Sequence, residues 1–266
     1  MGAPLPFVRY VALGDSSTEG LCDPIDRRRF RGWADRLAAH VAQARALTTP
    51  GAEPLLYANL AIRGRRTRQI REEQLGPALA MRPDLASVFC GTNDVIRRGF
   101  ALEPVIEDIR FMQRALRDQG ATVLTITMPD LSEVMPLAKA AAPKLMAFNE
   151  AVRAVSRETG TIVADLAAYP WVTDPRFWSG DRLHANTEGH RRIAAALAHA
   201  LDLPGVDDSW SVPLPHRPRP HALARKAGEL RWFAEHFMPW AVRHALGRSS
   251  GDGITAKRPT LTPVDS

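Results

Sequence analysis

The 266-residue chain is long enough for one large domain with a substantial core, or for two small ones. Its composition, 45% hydrophobic and 24% charged, is typical of a globular protein, its net charge is +6, and no apolar run could span a bilayer. The first predicted strand begins almost at once, which leaves no room for a secretory signal. The two cysteines lack metal-ligand spacing and predict no disulfide. We therefore expect a cytoplasmic protein without a metal or cofactor.

Short β-branched runs alternate with longer helical patterns over the first 200 residues. Strands are predicted at residues 7–13, 55–60, 85–90, 122–127 and 161–165. Helices are predicted near residues 31–46, 67–80, 103–118, 144–159 and 187–201. This alternation is typical of an α/β fold in which helices cover both faces of a mostly parallel sheet.

The composition changes after about residue 204. Five prolines predict an extended linker over residues 204–220. The aromatic and basic segment at residues 223–246 predicts a helix, which could dock on the domain, cover the site, contact a second copy or lie at a membrane surface. The predicted units are a domain over residues 1–203, a linker and docked helical extension over 204–246, and a polar tail over 247–266.

Arginine is concentrated in one part of the chain, since residues 21–71 hold eleven arginines against four acids. This cluster can form a solvated basic surface or bind a phosphorylated or carboxylated ligand. Nucleic acid is disfavoured as a partner because no aromatic ladder or known binding motif accompanies the charge. The tentative substrate-binding residues are Arg63, Arg65 and Arg66.

Four polar motifs lie near the ends of the predicted strands or before the last helix of the domain. Open α/β sheets bind their ligands at the carboxyl ends of the strands, so these motifs can converge at one edge. They are Gly14-Asp15-Ser16-Ser17, Asn59-Leu60-Ala61-Ile62-Arg63-Gly64, Gly91-Thr92-Asn93-Asp94 and Asp181-Arg182-Leu183-His184.

The residue types in these motifs suffice for nucleophilic catalysis. A serine hydroxyl is a weak nucleophile at neutral pH and needs an adjacent base. His184 can accept the proton of Ser16, and Asp181 can orient the imidazole and stabilise its protonated form. The three-residue spacing lets Asp181 and His184 face one pocket from a single turn. We therefore interpret Ser16, His184 and Asp181 as a candidate catalytic triad.

In order and spacing, the four motifs resemble those of the SGNH (GDSL) hydrolase superfamily over about residues 7–200. That superfamily contains esterases, lipases, carbohydrate deacetylases and related acyltransferases. The resemblance implies a three-layer α/β/α, flavodoxin-like fold. It also implies an oxyanion hole formed by the backbone N–H groups of Ser16 and Gly64 and the side-chain amide of Asn93. Ser17 and Ala61 depart from the usual leucine and glycine, which leaves the subfamily open.

The predicted reaction is acyl transfer through an acyl-enzyme on Ser16. A serine esterase acting on an ester of a small alcohol or carbohydrate is the first interpretation. An O-acyltransferase using acyl-CoA or another ester and a sugar-like acceptor is the alternative. Two features favour it: the arginines beside Gly64 and the apolar run at residues 128–137, which is expected to form a mobile loop able to cover an acyl chain. A catalytically silent binding protein is the third interpretation. The α/β-hydrolases are excluded because they require Gly-x-Ser-x-Gly around the nucleophile. The expected partner is a small ester or thioester, with no nucleic acid, no membrane span and an undetermined oligomeric state.

Overall fold

A six-stranded sheet forms the centre of the computed structural model, which describes residues 5–27, 29–97, 99–216, 228–239, 242 and 249–264. The strand order is β5-β4-β3-β1-β2-β6. The first five strands are parallel, and the sixth is antiparallel to its neighbour. The strands are β1 (Arg9–Gly14), β2 (Leu56–Asn59), β3 (Leu85–Phe89), β4 (Thr122–Ile126), β5 (Ile162–Ala164) and β6 (Arg258–Pro263).

Helices cover both faces of the sheet. On one face α2 packs against α7, and on the other α5 lies between α3 and α6. Two single-turn helices, α1 and α4, directly follow β1 and β3. The helices are α1 (Ser16–Glu19), α2 (Gly32–Thr48), α3 (Thr67–Ala80), α4 (Thr92–Val95), α5 (Leu102–Asp118), α6 (Ala142–Thr159) and α7 (Thr187–Ala200).

This architecture confirms the predicted three-layer α/β/α fold with a mostly parallel sheet. Read from β2 to β5, the strand order is 2-1-3-4-5, which is the flavodoxin-like order. Strands β1 and β3 are almost entirely buried, as strands covered on both faces should be. Among the described residues, no helix combines the length and the apolar character needed to cross a membrane.

The sixth strand was not predicted from the sequence. β6 adds to the free edge of β2, with Leu56 opposite Pro263 and Tyr57 opposite Thr262. Its two prolines, which cannot donate ladder hydrogen bonds, are tolerated because β6 is an edge strand. Much of the predicted helix at 223–246 lies outside the described residues. The part that is described, residues 228–239, is helical and includes a π-helical turn at Phe233–Phe237.

A buried glutamine holds the end of the first strand. Gln74 on α3 accepts a hydrogen bond from the Gly14 N–H and donates one to the Gly14 carbonyl, each at 2.9 Å. The Gln74 side chain therefore bonds to both backbone groups of the last residue of β1, and the Gly14 carbonyl also accepts a hydrogen bond from the Ile62 N–H at 3.3 Å. Because Gly14 lies two residues before Ser16, this contact fixes where the following turn begins.

We expect Gln74→Leu to lower the free energy of unfolding by about 1–3 kcal/mol, since the Gly14 N–H loses its partner while remaining buried. Denaturant titration monitored by circular dichroism measures this loss. Gln119→Leu, at an exposed glutamine beyond α5, is the matched control and should change stability little. Equal losses in the two variants would contradict the structural role of Gln74.

Candidate active site

Close packing at the end of β1 determines how Ser16 is presented. A Cβ atom on Gly14 would lie 2.2 Å from Thr18 Oγ1 and 2.6 Å from the Phe89 carbonyl oxygen, so only glycine fits there. Asp15 then caps α1, because its Oδ1 accepts a hydrogen bond from the Ser17 N–H at 3.1 Å. Ser16 is consequently the first residue of α1, at the carboxyl edge of the sheet.

A continuous line of hydrogen bonds joins Ser16, His184 and Asp181. The Ser16 Oγ atom lies 2.8 Å from His184 Nε2, and His184 Nδ1 lies 2.7 Å from Asp181 Oδ2. His184 and Asp181 lie on the turn that precedes α7. The structure therefore brings together the three residues that the sequence analysis interpreted as a triad.

The Asp181 carboxylate is held by several donors on its own turn. Its Oδ1 accepts hydrogen bonds from the backbone N–H groups of Leu183 (2.9 Å) and His184 (3.0 Å) and from the Ser179 hydroxyl. Burial alone would raise the pKa of Asp181, but the hydrogen bonds from His184 and Ser179 outweigh burial and bring the pKa far below its ordinary value. Asp181 is therefore ionised and can orient the imidazole.

Asn93 connects the serine turn to the loop that follows β2. Its Nδ2 atom donates to Asp15 Oδ2 and to the Arg65 carbonyl oxygen, both at 3.0 Å. Both amide hydrogens are thus engaged, so an oxyanion must compete for one of them. Burial raises the pKa of Asp15 to about 6. Asp15 is only 1% exposed, and its contacts make it a support beneath Ser16.

The loop after β2 carries Gly64, the second residue expected in the oxyanion hole. Gly64 has a φ angle of +75°, in the left-handed region that favours glycine. Within the described part of the chain, the backbone N–H groups of Ser16 and Gly64 donate to no other group. Ser16 lines the cavity described below, and Gly64 is not among its lining residues.

Glu19 links this loop to α1, the helix that begins with Ser16. Its carboxylate accepts a hydrogen bond from the Arg63 N–H at 2.9 Å and forms an ion pair with the Arg63 guanidinium. Thr67, at the start of α3, donates to Asp94 through its N–H (2.9 Å) and its hydroxyl (2.8 Å). With the bond from Asn93 to Arg65, these contacts anchor the loop on both sides of Gly64.

The C-terminal segment packs against the outer side of the same loop. A Cβ atom on Gly64 would lie 2.4 Å from Ser249 Oγ, and one on Gly251 would lie 2.0 Å from the Arg63 carbonyl oxygen. Both glycines are therefore required by this contact.

The helical segment 228–239 packs against the turn that carries Asp181. Trp232 Nε1 donates to the Asp181 carbonyl oxygen at 3.1 Å, and Arg182 pairs with Glu229 at 2.8 Å. The Arg182 guanidinium also lies over the Trp232 ring, 5.1 Å from its centre. Residues 228–239, the described part of the predicted extension, therefore contact the turn that carries Asp181.

The three candidate substrate-binding arginines have different surroundings. Arg63 is paired with Glu19, and Arg65 Nε lies 2.7 Å from Glu73 Oε2. Arg66 is exposed and forms no ion pair with the residues that the structure describes. Two of the three guanidinium groups are thus already neutralised by protein carboxylates.

Cys22 is the third potential metal ligand near Asp181 and His184. Its Sγ atom lies 3.9 Å from Asp181 Oδ2, and one ligand atom from each of the three residues lies within 4.8 Å of the others. The carboxylate and imidazole of this group already bond to each other and to Ser16. Both cysteines are free thiols, and Cys90 is buried.

An apolar cavity extends from Ser16 along the carboxyl edge of the sheet. Asp15, Ser16, Asn93 and His184 supply polar groups to its wall. The rest is mainly apolar and comes from segments that follow β3, β4 and β5 and from α6 and α7. These apolar lining residues include Phe89, Val95, Ile126, Met128, Leu131, Leu145, Leu166, Trp171, Val172, Phe177 and Ile193.

Sequence patterns predicted neither the contact of Glu19 with Arg63 nor that of Asp94 with Thr67. Of the apolar cavity they predicted only the loop at residues 128–137. Glu19 belongs to no recognisable sequence motif, because its partner, Arg63, is 44 residues away in the chain. The cavity residues are scattered over β3, β4, α6 and α7 and look like ordinary core positions in the sequence. Only the tertiary structure brings them beside Ser16.

We expect Glu19→Gln to destabilise the loop around Gly64. Loss of the carboxylate removes charge-assisted hydrogen bonds, with an expected cost of about 1.5–3 kcal/mol. Hydrogen exchange followed by mass spectrometry should show faster exchange in the peptide containing residues 62–65. Asp108→Asn is the control, since Asp108 pairs with Arg68 and Arg71 away from this loop. If that peptide exchanged equally fast in both variants, Glu19 would not be its specific anchor.

Three solved structures illustrate the likeness in fold, each with a TM-score of 0.60. A putative GDSL-like lipase from Parabacteroides merdae ATCC 43184 is 20% identical, and the match covers 76% of this chain and 98% of that one. A single-residue variant of Axe2, an acetyl xylan esterase from Geobacillus stearothermophilus, is 17% identical over 78% and 100% of the chains. LAE5, an alpha/beta hydrolase enzyme from the metagenome of Lake Arreo, Spain, is 18% identical over 76% and 97%.

The sequence comparisons give the family. A search of curated proteins found no match. The model of the GDSL-like lipase/acylhydrolase family matches residues 12–192, which span β1 to α7 and include all four motifs. The protein belongs to the GDSL-like lipase/acylhydrolase family.

Proposed function

We propose that the protein is a serine esterase that cleaves an ester of a small alcohol or carbohydrate through an acyl-enzyme on Ser16. The observation that carries this proposal is the line of hydrogen bonds from Asp181 through His184 to Ser16, at 2.7 and 2.8 Å. A serine becomes an effective nucleophile when a base held in this way can take its proton.

In the first half of the reaction, Ser16 Oγ attacks the carbonyl carbon of the ester while its proton passes to His184 Nε2. The new C–O bond pushes an electron pair onto the carbonyl oxygen, and Asp181 stabilises the protonated imidazole. Collapse of the tetrahedral intermediate breaks the bond to the alcohol. His184 then returns the proton to the departing alcohol, which leaves an acyl group on Ser16.

In the second half, water takes the place of the alcohol. His184 accepts a proton from the water as the water oxygen attacks the acyl carbon. The second intermediate then collapses to free acid while His184 returns this proton to Ser16 Oγ, which restores the starting enzyme. The Ser16 and Gly64 N–H groups can donate to the oxyanion in both halves. Asn93 can contribute by giving one of its two amide hydrogens to the oxyanion in place of Asp15 or Arg65.

The proposed alcohol remains broad. An acetyl xylan esterase is among the proteins of similar fold, which is compatible with a carbohydrate alcohol. A reducing cytoplasm fits the two free cysteines. The O-acyltransferase alternative rested on the arginines near Gly64 and on the apolar loop at residues 128–137. The pairing of Arg63 with Glu19 and of Arg65 with Glu73 weakens the first ground, whereas residues of that loop do line the cavity. Exposed Arg66 is the one candidate left for an anionic donor such as acyl-CoA.

Ser16→Ala should abolish the release of acid from short nitrophenyl esters, because no other group in the site would form the acyl-enzyme. A fluorophosphonate should label Ser16 alone, with Ser209→Ala, at an exposed turn, as the control. Retained hydrolysis in Ser16→Ala would contradict the proposal. If nitrophenol release were negligible until a sugar alcohol was added, and the acyl group were then found as an ester of that alcohol, transfer would be the function instead.

Asn93→Ala should lower kcat by roughly 10²–10³-fold, the usual cost of losing one oxyanion donor. The nucleophile itself is untouched, so measurement of kcat and KM on a nitrophenyl ester should show little change in KM. A circular dichroism melt controls for the loss of the two hydrogen bonds to Asp15 and Arg65. Unchanged kcat in a folded variant would remove Asn93 from the proposed oxyanion hole.

A further inference from the structure

The apolar cavity lies on one side of Ser16 in the sheet. Its wall contains residues that follow β1, β3, β4 and β5, and in the sheet these four strands are consecutive neighbours. Gly64 and the paired arginines follow β2 on the opposite side, beside the turn formed by Ser249 and Gly251. The nucleophile therefore separates a polar half of the site from an apolar half.

The chemistry of an acyl-enzyme decides which part of the substrate belongs in the apolar half. The acyl group is bonded to Ser16 from the attack on the ester until water releases it as the free acid. The alcohol must leave and be replaced by water, so it needs access to solvent. A cavity lined by buried side chains such as Phe89, Leu166 and Phe177 suits the group that stays.

We propose that this cavity binds the acyl group and selects a linear chain of medium length, an inference that rests on the proposed esterase function. The cavity extends from β1 to β5, which are three strand spacings apart, or about 14 Å. An extended alkyl chain advances about 1.25 Å per bond, because successive carbon–carbon bonds of about 1.5 Å form a zigzag, so a chain of roughly ten to twelve carbons spans this distance. An acetyl group would fill only the end next to Ser16.

Two alanines, which have small side chains, form part of the cavity wall. Ala138 and Ala141 line the cavity from the 3₁₀-helical turn Pro136–Ala141. Both are half-buried, so a larger side chain can enter the cavity from the protein's periphery without displacing the central core. Ala140 lies in the same turn, is exposed and does not line the cavity, which makes it a matched control position.

The test is a series of p-nitrophenyl esters from acetate to hexadecanoate. For the unmodified protein, kcat/KM should rise about fourfold per methylene, the equivalent of about 0.8 kcal/mol per buried CH₂, and reach its maximum near ten to twelve carbons. Ala141→Phe and, as a second variant, Ala138→Phe should lower the rate on octanoate at least tenfold and keep the rate on acetate. Ala140→Phe should match the unmodified protein throughout.

Binding of decanoate to the Ser16→Ala variant, measured by calorimetry, provides a readout that needs no turnover. Addition of Ala141→Phe to this variant should abolish that binding, whereas addition of Ala140→Phe should preserve it. Ser16-dependent hydrolysis that is fastest on acetate and slows with each added methylene would overturn the acyl-chain inference and leave the esterase proposal intact. Binding of decanoate without hydrolysis of any ester would support the cavity assignment and overturn the esterase proposal. Equal decanoate binding in the Ala141→Phe and Ala140→Phe variants would also overturn the inference.

Discussion

The backbone at the end of β1 packs so closely against Thr18 and Phe89 that Gly14 can carry no side chain. The chain must leave the sheet at this point, and Gln74 holds both polar groups of the Gly14 backbone as it does so. Asp15 then caps the short helix that begins with Ser16. The orientation of the proposed nucleophile is thus set by close packing and buried hydrogen bonds rather than by the serine itself.

The remaining groups of the site reach Ser16 from loops at the same edge of the sheet. The parallel strands direct these loops to one side, and polar contacts then fix their spacing. Asn93 spans from Asp15 to Arg65, and Glu19 spans from α1 to Arg63. Each of these contacts joins two different loops. The proposed oxyanion hole therefore depends on Glu19, which need not touch the substrate, as well as on the proposed donor Asn93.

Much of this arrangement was predictable from sequence because it depends on local pattern. Buried parallel strands are short apolar runs, and the strand predicted at residues 85–90 matches β3 to within one residue. The polar motifs after β1, β2 and β3 follow those runs directly. β6 was not predicted because prolines in an exposed polar tail do not favour a strand. The strand forms only where the edge of β2 is available for pairing.

The contacts that were not predicted are those made at long range. Arg63 pairs with Glu19, which weakens the interpretation of the arginine cluster as an anion-binding site. A guanidinium that is already paired with a buried carboxylate binds an anionic substrate less strongly. The apolar cavity likewise arises only when segments after β3, β4 and β5 meet α6 and α7. Sequence motifs predicted the reaction type, whereas tertiary packing bears on the substrate.

The central claim is that an acyl group becomes bonded to Ser16 during turnover. The most direct measurement is mass spectrometry of the protein quenched in acid within milliseconds of mixing with p-nitrophenyl octanoate. We expect a mass increase equal to one octanoyl group, located on the peptide that contains Ser16. Turnover of the ester with the Ser16 peptide unmodified and the acyl group on another residue would contradict the claim.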